Sequence, residues 1–181
     1  GTMFKSHPVT LDYSAIAKGY GLDRVAALLE EHGLHDYLVE IGGELLACGE
    51  KAPGQEWRVG VEAPTSSPDA GLQAIGNSGK RLAIAASGDY LNFFEHEGQR
   101  YCHEIDPATG WPVQHSMVAV TVLHDSAAMA DALATAMMVM GPEASLDFAS
   151  RLQLPIYLML RAGSGYQARY SDAFAAYLRK S

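Results

Sequence analysis

Residues 117–170, MVAVTVLHDSAAMADALATAMMVMGPEASLDFASRLQLPIYLMLRAGSGYQARY, decide the fold. Met117–Leu123 is rich in β-branched and apolar residues and reads as a strand. Asp125 or Ser126 then offers a helix cap, and a helix runs through Met140 until Gly141-Pro142 ends it. Proline suits the first turn of a helix, where its missing N–H costs nothing, so a second helix over Pro142–Leu152 is predicted. Ile156–Arg161 with Gln167–Tyr170 reads as a hairpin. A strand, two helices and a returning hairpin are not a strict βαβ alternation. The class predicted is therefore α+β, a mixed and mostly antiparallel sheet packed with helices.

Upstream, residues 12–32 read as a helix capped by Asp12 or Ser14, with Ile16, Tyr20, Val25, Leu28 and Leu29 as its apolar stripe and Gly33 as its C-terminal stop. Gly19 and Gly21 each cost such a helix roughly 1 kcal/mol relative to Ala. Their presence within one turn predicts that something approaches the backbone closely there. Short strands are predicted at Tyr37–Ile41, Glu44–Cys48, Trp57–Glu62, Leu82–Ala86, Asn92–Glu97 and Arg100–Ile105, punctuated by Gly, Pro, Asn and Asp. Glu97-Gly98-Gln99 reads as a hairpin tip. A short helix is expected at the C-terminal end, Asp172–Leu178.

The chain has 181 residues and a formal net charge of −8. No cluster of Lys/Arg offsets that balance, which excludes nucleic acid as a partner and a polybasic membrane attachment. Cys48 and Cys102 form no CxxC; two free thiols or one disulfide both fit. Gly1-Thr2-Met3 reads as a cloning remnant, leaving 4–181 as a single domain, and neither a targeting signal nor a membrane anchor is read in this chain. The longest near-apolar stretch, Ala127–Met140, is too short to span a bilayer.

In that stretch only Asp131 and Thr135 are polar, spaced i, i+4 and so on one face of the helix. A carboxylate on a helix built for burial must be paired, hydrogen-bonded or metal-bound. Carboxylate plus hydroxyl is a hard-oxygen pair suited to Mg²⁺ or Ca²⁺. The alternative is an Asp on a solvent strip, with Thr135 bonding back to a carbonyl one turn earlier. Lys18 is either a phosphate partner near a helix start or a solvated lysine. His103, late in a strand that runs into Asp106-Pro107, is either an acid/base group or a structural histidine.

Four blocks, in order, resemble one family: Asp12-Tyr13-Ser14-Ala15-Ile16-Ala17-Lys18-Gly19-Tyr20; Ala85-Ala86-Ser87-Gly88-Asp89-Tyr90; Tyr101 through Pro112, which contains His103-Glu104-Ile105-Asp106-Pro107-Ala108-Thr109-Gly110; and Ala130-Asp131-Ala132-Leu133-Ala134-Thr135-Ala136. The chain resembles the ApbE family of FAD:protein FMN transferases. The resemblance implies a T-fold-like domain and Mg²⁺-dependent transfer of FMN from FAD, its substrate, to a Thr or Ser hydroxyl of an acceptor flavoprotein, releasing AMP. It implies Asp131, Thr135 and the Ala15 carbonyl as metal ligands, and Asp12, Lys18 and Ile105 as FAD contacts. It makes His103 and Asp131 the catalytic residues. Family members are longer, with an upstream region that contributes to the sheet and to flavin binding. A chain lacking that region is expected to leave a sheet edge or an apolar patch open, which favours a homo-oligomer. Location at the periplasmic face of the bacterial inner membrane is implied by the family alone. An FAD pyrophosphatase, or a non-catalytic flavin-binding or assembly domain, are the alternatives.

Overall fold

Apolar residues in unbroken runs mark the strands that are covered on both sides, and two such runs form the centre of the main sheet. The computed structural model describes residues 2–61, 73–88, 93–96, 99–102 and 104–179, with 93–96 and 99–102 described by their backbone. Helix α1 (Ala17–Glu31) is followed by β1 (Tyr37–Ile41), β2 (Glu44–Cys48), β3 (Glu50–Ala52), β4 (Gln55–Glu56), β5 (Arg58–Val61), β6 (Gln73–Gly76), β7 (Leu82–Gly88), β8 (Phe93–His96) and β9 (Gln99–Cys102). Then come β10 (Met117–His124), α2 (Ala127–Met140), α3 (Pro142–Leu152), β11 (Ile156–Ala162), β12 (Gly165–Tyr170), a 3-10 helix (Asp172–Tyr177) and β13 (Leu178–Arg179).

Six strands form one sheet in the order β1-β2-β7-β10-β11-β12, every neighbour antiparallel. Leu46, Ala83, Ala85, Val120, Val122 and Leu158 point to one face, where α1, α2 and α3 cover them. Leu45, Ile84, Leu123, Tyr157 and Met159 point to the other, against Phe174 of the 3-10 helix and a small sheet ordered β13-β6-β5. Pairing shifts by one residue between Met117 and Ala119, so Val118 and Ala119 both join the second cluster. This is a β-bulge, the device that lets two consecutive residues share a face. The predicted α+β arrangement is the one present.

Several sequence expectations need correction. The first helix starts at Ala17, five residues later than expected. Asp12 does not cap it: its Oδ1 accepts from the Ser14 backbone N–H at 2.8 Å in a local turn, and Ile16 holds the N-cap position without a side-chain bond. At the other end Gly33, with φ +76°, behaves as predicted: its N–H reaches the Glu30 carbonyl, and that of Leu34 reaches Leu29. Of the predicted apolar stripe Leu29 packs against the core, but Ile16, Tyr20, Val25 and Leu28 are exposed. Gly19, Leu22 and Ala26 are buried, whereas Tyr20 and Leu28 are 60% and 55% exposed. Gly19 is on this face because α2 crosses α1 there too closely for any side chain, whereas Leu22 and Ala26 further along join the core. β9 ends at Cys102, short of Ile105, which forms an isolated bridge to Pro112. The residues 97–98 of the predicted tip lie outside the described residues. The hairpin β3–β4 and the strands β6 and β13 escape the sequence reading because each is at most four residues long and lacks alternation. The expected final helix is the 3-10 turn.

The contact between α1 and α2 positions the site. Ser126 caps α2, its Oγ accepting from Met129 N–H at 3.3 Å. Asp23 on α1 accepts from Ala127 N–H and Ala128 N–H, both at 3.0 Å, and from the Ser126 hydroxyl at 2.8 Å. A carboxylate at a helix N-terminus satisfies donors that have no intrahelical partner and favours the helix dipole. Arg81 on the loop before β7 completes the clamp, reaching Asp23 at 2.9 Å and Glu30 at 2.8 Å. Burial works to raise the Asp23 carboxyl, but the N–H groups of Ala128 and Ala127, the Ser126 hydroxyl and Arg81 together hold it below the usual range.

Candidate active site

Gly19 lies where the two helices touch. A Cβ at this position would sit 2.1 Å from the Ala127 carbonyl oxygen, so only glycine allows the approach. The closeness brings Asp131, one turn into α2, under the start of α1. Its Oδ2 accepts the Gly19 N–H at 2.9 Å, and the residue is 2% exposed. Because α1 begins at Ala17, the Gly19 N–H is one of the four amides without an intrahelical acceptor, and Asp131 supplies one. The late helix start has a second effect. Gly19 N–H would otherwise bond the carbonyl of Ala15, and among the described residues that carbonyl accepts no hydrogen bond.

Lys18 reaches into the same place from α1. Its Nζ lies 2.9 Å from Glu44 Oε1 and 3.9 Å from Asp131 Oδ1, while its side chain stays 42% exposed. The turn before β2 makes room for it. Gly42 has φ +58°, a left-handed conformation natural to glycine, and a Cβ there would meet Lys18 Cδ at 3.1 Å. Glu44 is 2% exposed, and among the described residues its buried Oε2 has no hydrogen-bond partner. Burial pushes the Glu44 carboxyl up; the Lys18 hydrogen bond and charge oppose this, and the Asp131 charge adds to it. One turn along α2 from Asp131, Thr135 places its hydroxyl 3.4 Å from that of Ser87 at the end of β7.

The structure thus brings Lys18 and Asp131 together, with Thr135 one turn further along α2 and Ala15 four residues before Gly19 in the chain. Asp131 is not on a solvent strip; its carboxylate is buried and paired. Lys18 is not merely solvated, since two carboxylates share its charge. Asp12 stands in the exposed turn three residues before Ala15, its carboxyl held below the usual range by the backbone N–H and hydroxyl of Ser14. Ile105 is 49% exposed beside Pro112. His103 lies outside the described residues. Cys48 is a free thiol, and the side chain of Cys102 is outside the described residues. Sequence reading missed Glu44. Its one signal was an acidic residue directly after Gly42-Gly43 at the head of an apolar strand. Ser87 stands out in the sequence only as a member of the second motif block.

The donor set fits a hard divalent cation. It comprises a buried carboxylate, a hydroxyl on the same helix face and a carbonyl left without a hydrogen bond. Two carboxylates against one lysine leave the pocket with a surplus negative charge when all are ionised. Among the described residues no three His, Cys, Asp or Glu side chains cluster as a metal site. A cation here would therefore depend on hydroxyl and backbone oxygens as well as on carboxylate.

The sequence model of the ApbE family matches residues 2–158. The chain belongs to the ApbE family. It is 40% identical over 174 residues to an FAD:protein FMN transferase of Haemophilus influenzae, covering 96% of this chain and 50% of that protein. An FAD:protein FMN transferase of Vibrio cholerae is 42% identical over 180 residues, covering 99% of this chain and 53% of the relative. Among solved structures, the apo flavinyl transferase ApbE of Pseudomonas stutzeri superposes with a TM-score of 0.83 at 39% identity, over 94% of this chain and 52% of that one. The flavin transferase ApbE from Vibrio cholerae gives 0.82 at 39% identity, over 93% and 52%. This ApbE-family chain therefore spans about half the length of the relatives it matches. The fold expectation drawn from the motifs is met by these ApbE structures.

Proposed function

We propose that this chain carries the metal and diphosphate side of a flavin transferase, which moves FMN from FAD to a Thr or Ser hydroxyl of an acceptor flavoprotein and releases AMP. The observation that carries the reading is the meeting of Lys18 and Asp131 at the start of α1, with Glu44 beside them. A lone buried carboxylate is costly. One arranged with a lysine, a hydroxyl and an amide-rich helix start is suited to a cation and the anion it accompanies.

In this mechanism Asp131, Thr135 and the Ala15 carbonyl would hold Mg²⁺, which would offset charge on the diphosphate and on the transition state. Lys18 reaches the diphosphate from the solvent side. Asp12 and Ile105 contact the flavin nucleotide. His103 takes the proton from the acceptor hydroxyl as its oxygen attacks the FMN phosphorus. The bond from that phosphorus to the AMP oxygen breaks, and AMP leaves with the electron pair. Positioning and electrostatics supply most of the rate in such phosphoryl chemistry, so a preformed charge cluster is the main requirement. With the family, we place this reaction at the periplasmic face of the bacterial inner membrane; among the described residues no helix is long and apolar enough to cross a membrane.

The test is the intact mass of an acceptor flavoprotein domain after incubation with this chain, FAD and Mg²⁺. A gain of one FMN moiety, lost with EDTA and with Asp131→Asn, is the expected outcome. AMP and FMN in solution without a gain would mean that water replaces the acceptor hydroxyl. No product of either kind would mean a non-catalytic flavin-binding domain.

A further inference from the structure

Glu44 has no role in the mechanism above, yet it occupies the most expensive position in the site. The residue is 2% exposed, and among the described residues only one of its two carboxylate oxygens has a partner. Oε1 holds Lys18 Nζ at 2.9 Å. Oε2 is buried and unpartnered, in a pocket that Asp131 already makes negative. If Glu44 served only as a counter-ion for Lys18, a second buried oxygen without a donor would be pure cost, since an unsatisfied buried acceptor forfeits its hydration with nothing in return. Lys18 itself is 42% exposed and does not need a buried partner. The chain also invests in the position. Gly42 and Gly43, both in left-handed conformations, form the turn that delivers Glu44 into the sheet and leaves space for the Lys18 stem. An unpartnered carboxylate oxygen beside a second buried carboxylate lacks a positive or proton-donating group.

We propose that Glu44 is the second carboxylate of the divalent-cation site, supplying through Oε2 an anionic oxygen to the bound cation or to its water shell, while Oε1 tethers Lys18. The inference rests on the cation-site reading of Asp131 and extends it. It assigns Glu44 two tasks. Lys18 is kept at the rim, available to an anion, rather than bonded to Asp131; and the pocket gains the additional charge that one Asp, one hydroxyl and one carbonyl cannot provide. Mg²⁺ and Mn²⁺ both accept such oxygen sets, so Mn²⁺ serves as the probe.

The experiment is Mn²⁺ titration of the intact chain without FAD, following free Mn²⁺ by EPR, for the wild type, Asp131→Asn, Glu44→Gln, Lys18→Met and the Lys18→Met/Glu44→Gln double variant. Glu44→Gln is nearly isosteric and keeps an oxygen for Lys18, and circular dichroism checks its fold. Supporting residues of metal sites typically change affinity by about 10- to 100-fold. We expect Glu44→Gln to weaken Mn²⁺ binding by at least about 10-fold. Lys18→Met, which removes a repelling charge, should tighten it. The decisive comparison is made in the Lys18→Met background, where Glu44 has no lysine to hold. There Glu44→Gln should still weaken Mn²⁺ binding by about 10-fold. Equal affinities of the single Lys18→Met and the double variant would overturn the inference and leave Glu44 a tether only. Undiminished binding in Asp131→Asn would instead overturn the cation-site reading beneath it, so the two failures are distinguishable.

Discussion

Helix propensity and tertiary packing make opposite predictions for Gly19→Ala. Within a helix, alanine is favoured over glycine by roughly 1 kcal/mol, so propensity alone predicts stabilisation. The structure reverses the sign. The added Cβ would lie 2.1 Å from the Ala127 carbonyl oxygen and 2.8 Å from the Ala128 Cα, both backbone atoms that cannot rotate aside. That is more than about 1 Å inside normal contact, so α1 and α2 must part. Parting them stretches the Gly19 N–H to Asp131 bond and the Asp23 clamp on the first turn of α2. Overpacking of this kind costs about 1–3 kcal/mol, and rigid backbone on both sides sets the upper end. After the propensity gain, we expect a net loss of about 2 kcal/mol, or a fall in Tm of roughly 4–8 °C for a chain of this size. Gly21→Ala is the matched control. Its Cβ would lie 3.5 Å from the flexible Ile41 Cδ1, an ordinary contact, so the propensity gain of about 1 kcal/mol should appear as a higher Tm. Thermal and urea unfolding of both variants, with Mn²⁺ affinity alongside, is the assay. A Gly19→Ala protein as stable as the wild type, with undiminished Mn²⁺ affinity, would refute the close crossing and with it the placement of Asp131.

Other perturbations follow from the same contacts. Asp23→Ala removes the acceptor for Ala127 N–H, Ala128 N–H and Ser126, and one of Arg81's two carboxylate partners, and should cost about 3 kcal/mol by urea unfolding, whereas Asp23→Asn should cost less. Acid stability should depend on Glu56. The hydrogen bonds from Arg179, opposed by desolvation and helped by Ser78 and Arg58, hold its carboxyl down at about 2. A folded value below the unfolded one gives stability that is present above roughly pH 4.5 and disappears as pH falls towards the folded value. The Tm of Glu56→Gln should therefore lie below wild type near neutral pH and converge with it at about pH 2. Asp23, also depressed, acts in the same sense. Glu44, raised by burial, acts in the opposite sense, its protonation relieving a penalty. His103→Ala should slow flavin transfer while leaving FAD affinity intact; unchanged transfer kinetics in the mass assay would remove His103 from the mechanism.

The sequence by itself determined the element types that rest on local chemistry. Apolar runs marked β10 and β11 as strands, Asp125-Ser126 announced the start of α2, Gly141-Pro142 divided two helices and Gly33 ended α1. Asp131 with Thr135 stood out for a similar reason: a polar pair at i, i+4 on an otherwise apolar helix is conspicuous whatever surrounds it. The two glycines of α1 announced a close approach, but not which of them needed it; Gly19 meets a backbone, and Gly21 meets one movable methyl.

What only the tertiary structure decided depends on groups far apart in the chain. The buried face of α1 is Gly19, Leu22 and Ala26, because the side of the helix that meets α2 and the sheet is set by tertiary packing and not by the local apolar pattern. Asp131 bonds an amide 112 residues away, and that bond exists only because α1 starts at Ala17 and leaves the Gly19 N–H without a helical acceptor. Glu44 drew no notice in sequence, where it reads only as the first residue of a short predicted strand. Its meaning comes from burial, which turns an ordinary carboxylate into a costly one, and from the Lys18 and Asp131 side chains that only folding brings beside it.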